Sequence, residues 1–206
     1  MKQVKQERSL RTRERILDAA AGEFAARGFA QTRLDDVVAR TGMSKGALYG
    51  HFASKEALAR AVLAHAEGAW LDLVAQAESP HLTPVEALRL LTVGLARQLH
   101  TDPRVRAGLR LATELPPSAG GRPAALGPIP GLMVEFAGQA HTDPHQGPEP
   151  DFEPRAAIVA QLMLTTVLGS QALPALRLDP RMQASIEDLW AVLAQALPVA
   201  DSTCGA

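Results

Sequence analysis

The sequence predicts an all-α fold, and three observations point that way. Hydrophobic residues make up 47% of the 206 positions but aromatic ones only 4%, so a core must be built from Ala, Leu and Val, which favours helix over strand. Apolar residues recur at three- and four-residue intervals along most of the chain. Gly and Pro fall between these periodic stretches and so mark their ends. At 21.9 kDa the chain can hold a small helical unit attached to a larger one.

Taken in order, residues 9–27 carry Leu10, Ile16, Leu17, Ala20 and Phe24 at helical spacing and stop at Gly28, a natural C-cap. Leu34, Val37 and Val38 mark a short second helix that ends at Gly42, and Ser44 caps a third running towards Phe52. Two short helices joined by a tight glycine-containing turn make a helix-turn-helix. A fourth helix begins near Ser54, with Glu56 in its first turn and Leu58, Val62, Trp70 and Leu73 on one face. Leu88, Leu91, Leu95 and Leu99 form the stripe of a helix opened by Pro84, and a shorter helix covers 103–115. Residues 116–130 and 143–154 are proline-rich and predict loops, with a short helix through Met133 and Phe136 between them. Residues 155–173 and 181–198 predict two apolar closing helices, and 201–206 a disordered tail. The predicted organisation is a helix-turn-helix domain at 1–53, a larger helical domain at 54–200, and the tail.

The formal net charge of −1 conceals an asymmetry: residues 1–60 hold 12 Lys and Arg against 7 Asp and Glu, while the rest of the chain is acidic. A basic front attracts phosphate, and an acidic rear keeps the molecule off random DNA. Leu48 and Phe52, four residues apart, turn inward and leave Lys45, Gly46 and Tyr49 outward. Lys45 is suited to a guanine edge, Gly46 to close backbone approach and Ala47 to a thymine methyl. Ser44, Tyr49, His51 and Lys55, with Thr32 and Arg33 at the start of the second helix, are candidates for phosphate contacts that position without reading sequence.

The run Thr41-Gly42-Met43-Ser44-Lys45-Gly46-Ala47-Leu48-Tyr49-Gly50-His51-Phe52-Ala53-Ser54-Lys55-Glu56-Ala57-Leu58 resembles the TetR-family DNA-binding signature. Arg13, Ile16, Leu17, Ala19, Ala20, Phe24, Gly28 and Phe29 are placed as that family places them before the turn. Arg33 stands where the family commonly has a second threonine, and Gly50 where a bulky residue is usual. The stretches from Lys5 to Arg13 and from Val105 to Thr113, with Lys45 to Tyr49, are similar to the γ-butyrolactone autoregulator receptors of actinomycetes. The resemblance implies a dimeric repressor, DNA-binding at 1–53 and ligand-sensing and dimerising at 54–200, that binds palindromic operator DNA and is released by a lactone or butenolide signal. Those receptors carry a pocket tryptophan after the mid-chain proline loop, where this chain reads Pro128-Ile129-Pro130-Gly131-Leu132-Met133. Either the ligand differs or the response to butyrolactones has been lost.

Trp70, Leu88, Leu109, Met133, Phe136, Met163 and Thr166 are the candidate pocket residues, although Trp70, Met133, Phe136 and Met163 are of a kind that more often serves ordinary core packing. Thr165 and Thr166 suit a bond to a ligand or back to the preceding turn. Glu114 and Glu135 are weaker pocket candidates. His141, Asp143 and His145 have ligand-like spacing but neither a fourth partner nor a rigid scaffold, so no metal or cofactor is expected. Cys204 reads as an inert thiol. No phosphate-binding glycine loop, nucleophile elbow or paired-carboxylate site argues for an enzyme. No leader pattern opens the chain and no apolar run approaches the roughly 20 residues that cross a bilayer, so the expectation is a cytoplasmic protein. A DNA-binding protein governed by a protein partner is the competing reading. For the dimer, 155–173 and 181–198 are expected to pair with their symmetry mates, because their apolar surface exceeds what one small domain covers.

Overall fold

The computed structural model describes residues 2–115, 126–141, 152–170 and 185–195, and every ordered element among them is a helix. In chain order they are α1 (Lys2–Gln31), α2 (Leu34–Thr41), α3 (Lys45–Tyr49), α4 (Lys55–Ala77), α5 (Pro84–Thr101), α6 (Pro103–Glu114), α7 (Ile129–His141), α8 (Phe152–Ser170) and α9 (Ile186–Ala194). The all-α expectation therefore holds. No helix among the described residues is long and apolar enough to cross a membrane. Asp143 and His145, weighed with His141 as metal ligands and set aside, the tail with Cys204, and most of both proline-rich loops lie outside the described residues.

Three boundaries differ from the sequence-based expectation. α1 begins at Lys2, not near Ser9, because the Lys, Gln, Glu and Arg residues before Ser9 are good helix formers with no breaker among them. Pro130 lies in the first turn of α7 and Pro154 in the first turn of α8, although both were expected in loops. Proline is tolerated there because a first-turn N–H has no intrahelical acceptor in any case.

The chain divides into two compact units. The first comprises Met1–Ala69 with Leu99–Gly127. Within it α1 packs on α2 and α6, and α2 on α3. The predicted inward faces form its core: Ile16, Ala20, Phe24, Val37, Leu58 and Val62 are fully buried, with Val105, Ala107 and Leu111 from α6. Each fully buried aliphatic or aromatic side chain contributes about 1.5–3 kcal/mol of burial. The second unit comprises Trp70–Gln98 with Pro128–Ala206, where α7 packs on α8 and α8 on α9. Its buried residues include Trp70, Leu73, Leu88, Leu91, Leu95, Met133, Met163 and Val167, so the stripes read from the sequence do face inward.

Two glycines set the ends of the first helices. Gly28 leaves α1 at φ 77° and Gly42 caps α2 at φ 67°, its N–H donating to the Val38 carbonyl. Both lie in the left-handed region that a Cβ disfavours. Their surroundings differ, because a Cβ at Gly42 would meet open space whereas one at Gly28 would lie 2.5 Å from the Glu114 carboxylate. Gly42→Ala should therefore cost about 1 kcal/mol from backbone strain alone, and Gly28→Ala about 2–3 kcal/mol or more. Urea midpoints of the two variants measure the difference, and equal midpoints would mean that Glu114 does not pack against Gly28.

Candidate nucleic-acid interface

The turn between α2 and α3 is held locally. The Thr41 hydroxyl donates to the Val38 carbonyl at 2.9 Å and accepts from Met43 N–H at 3.2 Å. The Ser44 hydroxyl accepts from Ala47 N–H at 3.2 Å, the N-cap predicted from the sequence. Leu48 is 1% exposed and Phe52 5%, and the Arg13 guanidinium sits 5.3 Å from the Phe52 ring centroid. These contacts fix α3 from its inner side. Lys45, Gly46 and Tyr49 are left exposed, with Ala47 and His51 half-buried beside them. This is the outward face expected from the spacing.

The other candidate DNA contacts stand differently. Arg33 is exposed and occupies the N-cap position of α2 without a capping bond. Thr32 is 1% exposed and its hydroxyl donates to the Gly28 carbonyl at 2.7 Å, so its side chain builds the turn instead of facing solvent. The Lys55 ammonium donates to the carbonyls of Phe29 at 2.8 Å, Thr32 at 3.1 Å and Ala30 at 3.4 Å, and lies 4.4 Å from the Phe29 ring centroid. It thus gathers the carbonyls that the end of α1 leaves unpaired.

From the opposite side, α6 grips the same helix end. Glu114 accepts from Phe29 N–H and from Arg110 Nε, and Arg110 Nη1 donates to the carbonyls of Ala25 at 3.1 Å and Ala26 at 3.2 Å. Nearer the start of α6, Arg104, whose side chain is 12% exposed, donates to Glu14 at 2.6 Å and Asp18 at 2.8 Å. Asp102 caps α6 by accepting from Arg104 N–H at 2.7 Å, and its other oxygen lies 2.9 Å from His65 Nε2. Glu114, weighed from the sequence as a pocket residue, is instead part of this seam. The four-residue spacing of Arg110 and Glu114 was visible as an ion pair, but nothing local showed that both would reach α1.

Of the candidate pocket residues, Trp70, Leu88, Met133, Phe136, Met163 and Thr166 belong to the second unit and Leu109 to the first. Leu109 lies on α6, which packs on α1. Trp70, Leu88, Met133 and Met163 are at most 2% exposed. The buried indole Nε1 of Trp70 has no acceptor among the described residues. Thr166 donates to the Leu162 carbonyl at 2.8 Å, the local back-bond. The sequence did not single out Thr92, which is 1% exposed, donates to the Leu88 carbonyl at 2.8 Å and lies 3.8 Å from Met163 Sδ.

The seam is sensitive to acid. The Arg104 guanidinium holds Glu14 below the usual carboxylate range against the opposing effect of burial. Burial pushes Glu114 up, but Arg110 and the Phe29 N–H together outweigh it and leave it lowered. A carboxylate lowered in the folded state contributes stability that is fully present above its unfolded value, about 4.3, and is lost as pH falls through the folded one. Glu14→Gln and Glu114→Gln should each cost about 1 kcal/mol at neutral pH, since both groups are partly exposed. Each should also flatten the fall of stability between about pH 5 and pH 3. Denaturant titrations at several pH values measure both effects, and an unchanged acid limb in the double variant would remove these groups from the account.

Residues 16–62 match the family model described as bacterial regulatory proteins, tetR family. The chain is 44% identical over 60 residues to the A-factor receptor protein of Streptomyces griseus, covering 29% of this chain and 22% of that protein. It spans less than half the length of the first curated relatives it matches. Solved structures align much further. The TetR family protein CprB from S. coelicolor A3(2) superposes with a TM-score of 0.68 at 32% identity over 95% of this chain and 93% of that one. A γ-butyrolactone receptor described as ArpA-like gives 0.59 at 31% identity over 92% and 98%. With the helix-turn-helix in place and this likeness along nearly the whole length, the chain belongs to the TetR family of bacterial regulatory proteins.

Proposed function

We propose that this protein is a ligand-responsive transcriptional repressor that binds a palindromic operator as a homodimer and is released by a small, largely apolar signal of the γ-butyrolactone or butenolide kind. The observation that carries the reading is the outward face of α3, with Lys45, Gly46 and Tyr49 exposed on a helix fixed from behind by Leu48 and Phe52. Such a helix enters the major groove with the residues of its first turn at the base edges. Lys45 donates to guanine, Gly46 admits close approach, and Ala47 packs on a thymine methyl. Ser44, Tyr49, His51 and Arg33 position the helix on phosphates, while Thr32 and Lys55 act on the backbone beneath them.

Dimerisation is supported by the outer side of α8, where Ile158 is 56% and Leu162 52% exposed, and by Val192 on α9 at 66%. Apolar residues left outward one helical turn apart suit a second copy of the same surface. Two recognition helices then meet major grooves about 34–36 Å apart or at a multiple of that distance.

A signal site in the second unit is supported by its apolar interior and by the unpaired Trp70 N–H. An unsatisfied buried donor costs about 1–3 kcal/mol, so a ligand acceptor that meets it gains affinity without breaking an existing bond. α4 and α5 contribute residues to both units, and α6 holds α1 through Arg110 and Glu114. A ligand that favours a different setting of these helices lowers operator affinity by its coupling energy, typically about 1–3 kcal/mol.

The test is a gel shift on an operator selected by the protein from random duplexes, titrated with γ-butyrolactones, butenolides, antibiotic intermediates and cationic drugs. A lactone or butenolide should weaken binding about 5- to 150-fold, and Trp70→Phe should raise the concentration required. Release by a cationic drug alone would assign a different ligand class, consistent with the absence of tryptophan from residues 128–133. No release by any compound would overturn the sensing role.

A further inference from the structure

α2 begins with two neighbouring carboxylates, Asp35 and Asp36, and the fold sends them in opposite directions. Asp36 reaches back to α1, where its carboxylate lies 2.8 Å from Arg27 Nη1. Nearby, Glu23 of α1 takes Arg40 of α2 at 2.8 Å, so these charges lock the two helices together. Asp35 instead reaches across the turn to α3, where its Oδ1 lies 2.7 Å from Lys45 Nζ. Both members of that pair are about two-thirds exposed, so the pair adds little to folding stability. An acidic residue in the first turn of a helix is also explained by the helix dipole alone. The dipole does not explain why Asp35 pairs with the first residue of α3, the residue assigned to base reading.

Resting on the DNA-binding role proposed for Lys45, we propose that Asp35 is a specificity-determining residue, a positioning group that holds the Lys45 ammonium and withholds it from DNA phosphates in general. An ammonium on a long flexible stem is otherwise an indiscriminate phosphate ligand. With Asp35 alongside, a lone phosphate must displace a carboxylate already at hydrogen-bond distance, and the carboxylate is itself repelled by the DNA backbone. A guanine edge supplies two acceptors at a fixed position once α3 is seated in the groove. The exchange is therefore favourable at the cognate base and unfavourable elsewhere. Specificity gained in this way acts by penalising wrong partners, at little cost to the right one.

The experiment is a double-mutant cycle on the full-length protein with Asp35→Asn, Lys45→Ala and the two combined. Binding is measured to the selected operator and to a scrambled duplex of equal length over a range of salt. Asp35→Asn should bind the scrambled duplex about two- to fivefold tighter. Its salt slope should steepen by about one unit, as for one more phosphate contact. Operator affinity should change less, so the discrimination ratio falls. In the Lys45→Ala background the same substitution should leave scrambled-duplex binding and slope nearly unchanged, because no ammonium remains to be released. Asp35→Ser serves as a second variant, and thermal melts check that each chain stays folded. Equal gains with and without Lys45 would show that Asp35 acts only through net charge and would overturn the inference while leaving the DNA-binding role standing. A parent protein that does not distinguish operator from scrambled duplex would overturn both.

Discussion

The end of α1 is the constraint on which the first unit depends. At Gly28 the backbone turns out of the helix, and the groups released by that break must be satisfied within a few residues. Glu114 receives the Phe29 N–H, Arg110 takes the carbonyls of Ala25 and Ala26, and Lys55 gathers those of Phe29, Ala30 and Thr32. The buried Thr32 hydroxyl closes the turn on the Gly28 carbonyl. Three helices distant in sequence, α1, α4 and α6, therefore meet at one short piece of backbone. The start of α2 follows it directly, so the angle at which the helix-turn-helix leaves α1 is set by polar contacts as much as by the core.

The charges of this unit fall into two groups. Arg27, Arg40, Arg104 and Arg110 are engaged with carboxylates or carbonyls of neighbouring helices and serve the fold. Lys45 and Arg33 stand on the outer side, with Asp35 beside the first of them. The basic excess of residues 1–60 is thus only partly an outward-facing charge. Its remainder holds helices together, which is why charge counting was a weak guide and the α2–α3 spacing a strong one.

The helices were legible because their ends are chemically marked. Gly28, Gly42, Ser44, Pro84 and Pro103 each act through backbone geometry within a turn of where they stand, and the stripes at Leu88, Leu91, Leu95 and Leu99 report burial directly. The outward face of α3 followed from Leu48 and Phe52 for the same local reason. What was not legible depends on residues well separated in sequence, some of them 80 or more positions apart. Phe29 with Glu114, and Arg104 with Glu14, are pairs that no periodicity connects. Lys55 looked like a phosphate ligand because its position is basic and near α3, and only the fold shows its ammonium turned onto carbonyls. Leu109, a candidate pocket residue, falls in the first unit, an assignment that also rests on contacts distant in sequence.

If the Glu114 contact at Phe29 holds the helix-turn-helix in place for the proposed operator, Glu114→Ala must disturb both. Operator affinity of that variant, measured with amide hydrogen exchange across residues 29–41, reads this out. Faster exchange at Phe29 and along α2 is expected, with operator binding weakened about 5- to 30-fold, as for a coupling of about 1–2 kcal/mol. Faster exchange with operator affinity unchanged would contradict it, since α1 would then have been loosened without any effect on the setting of α3.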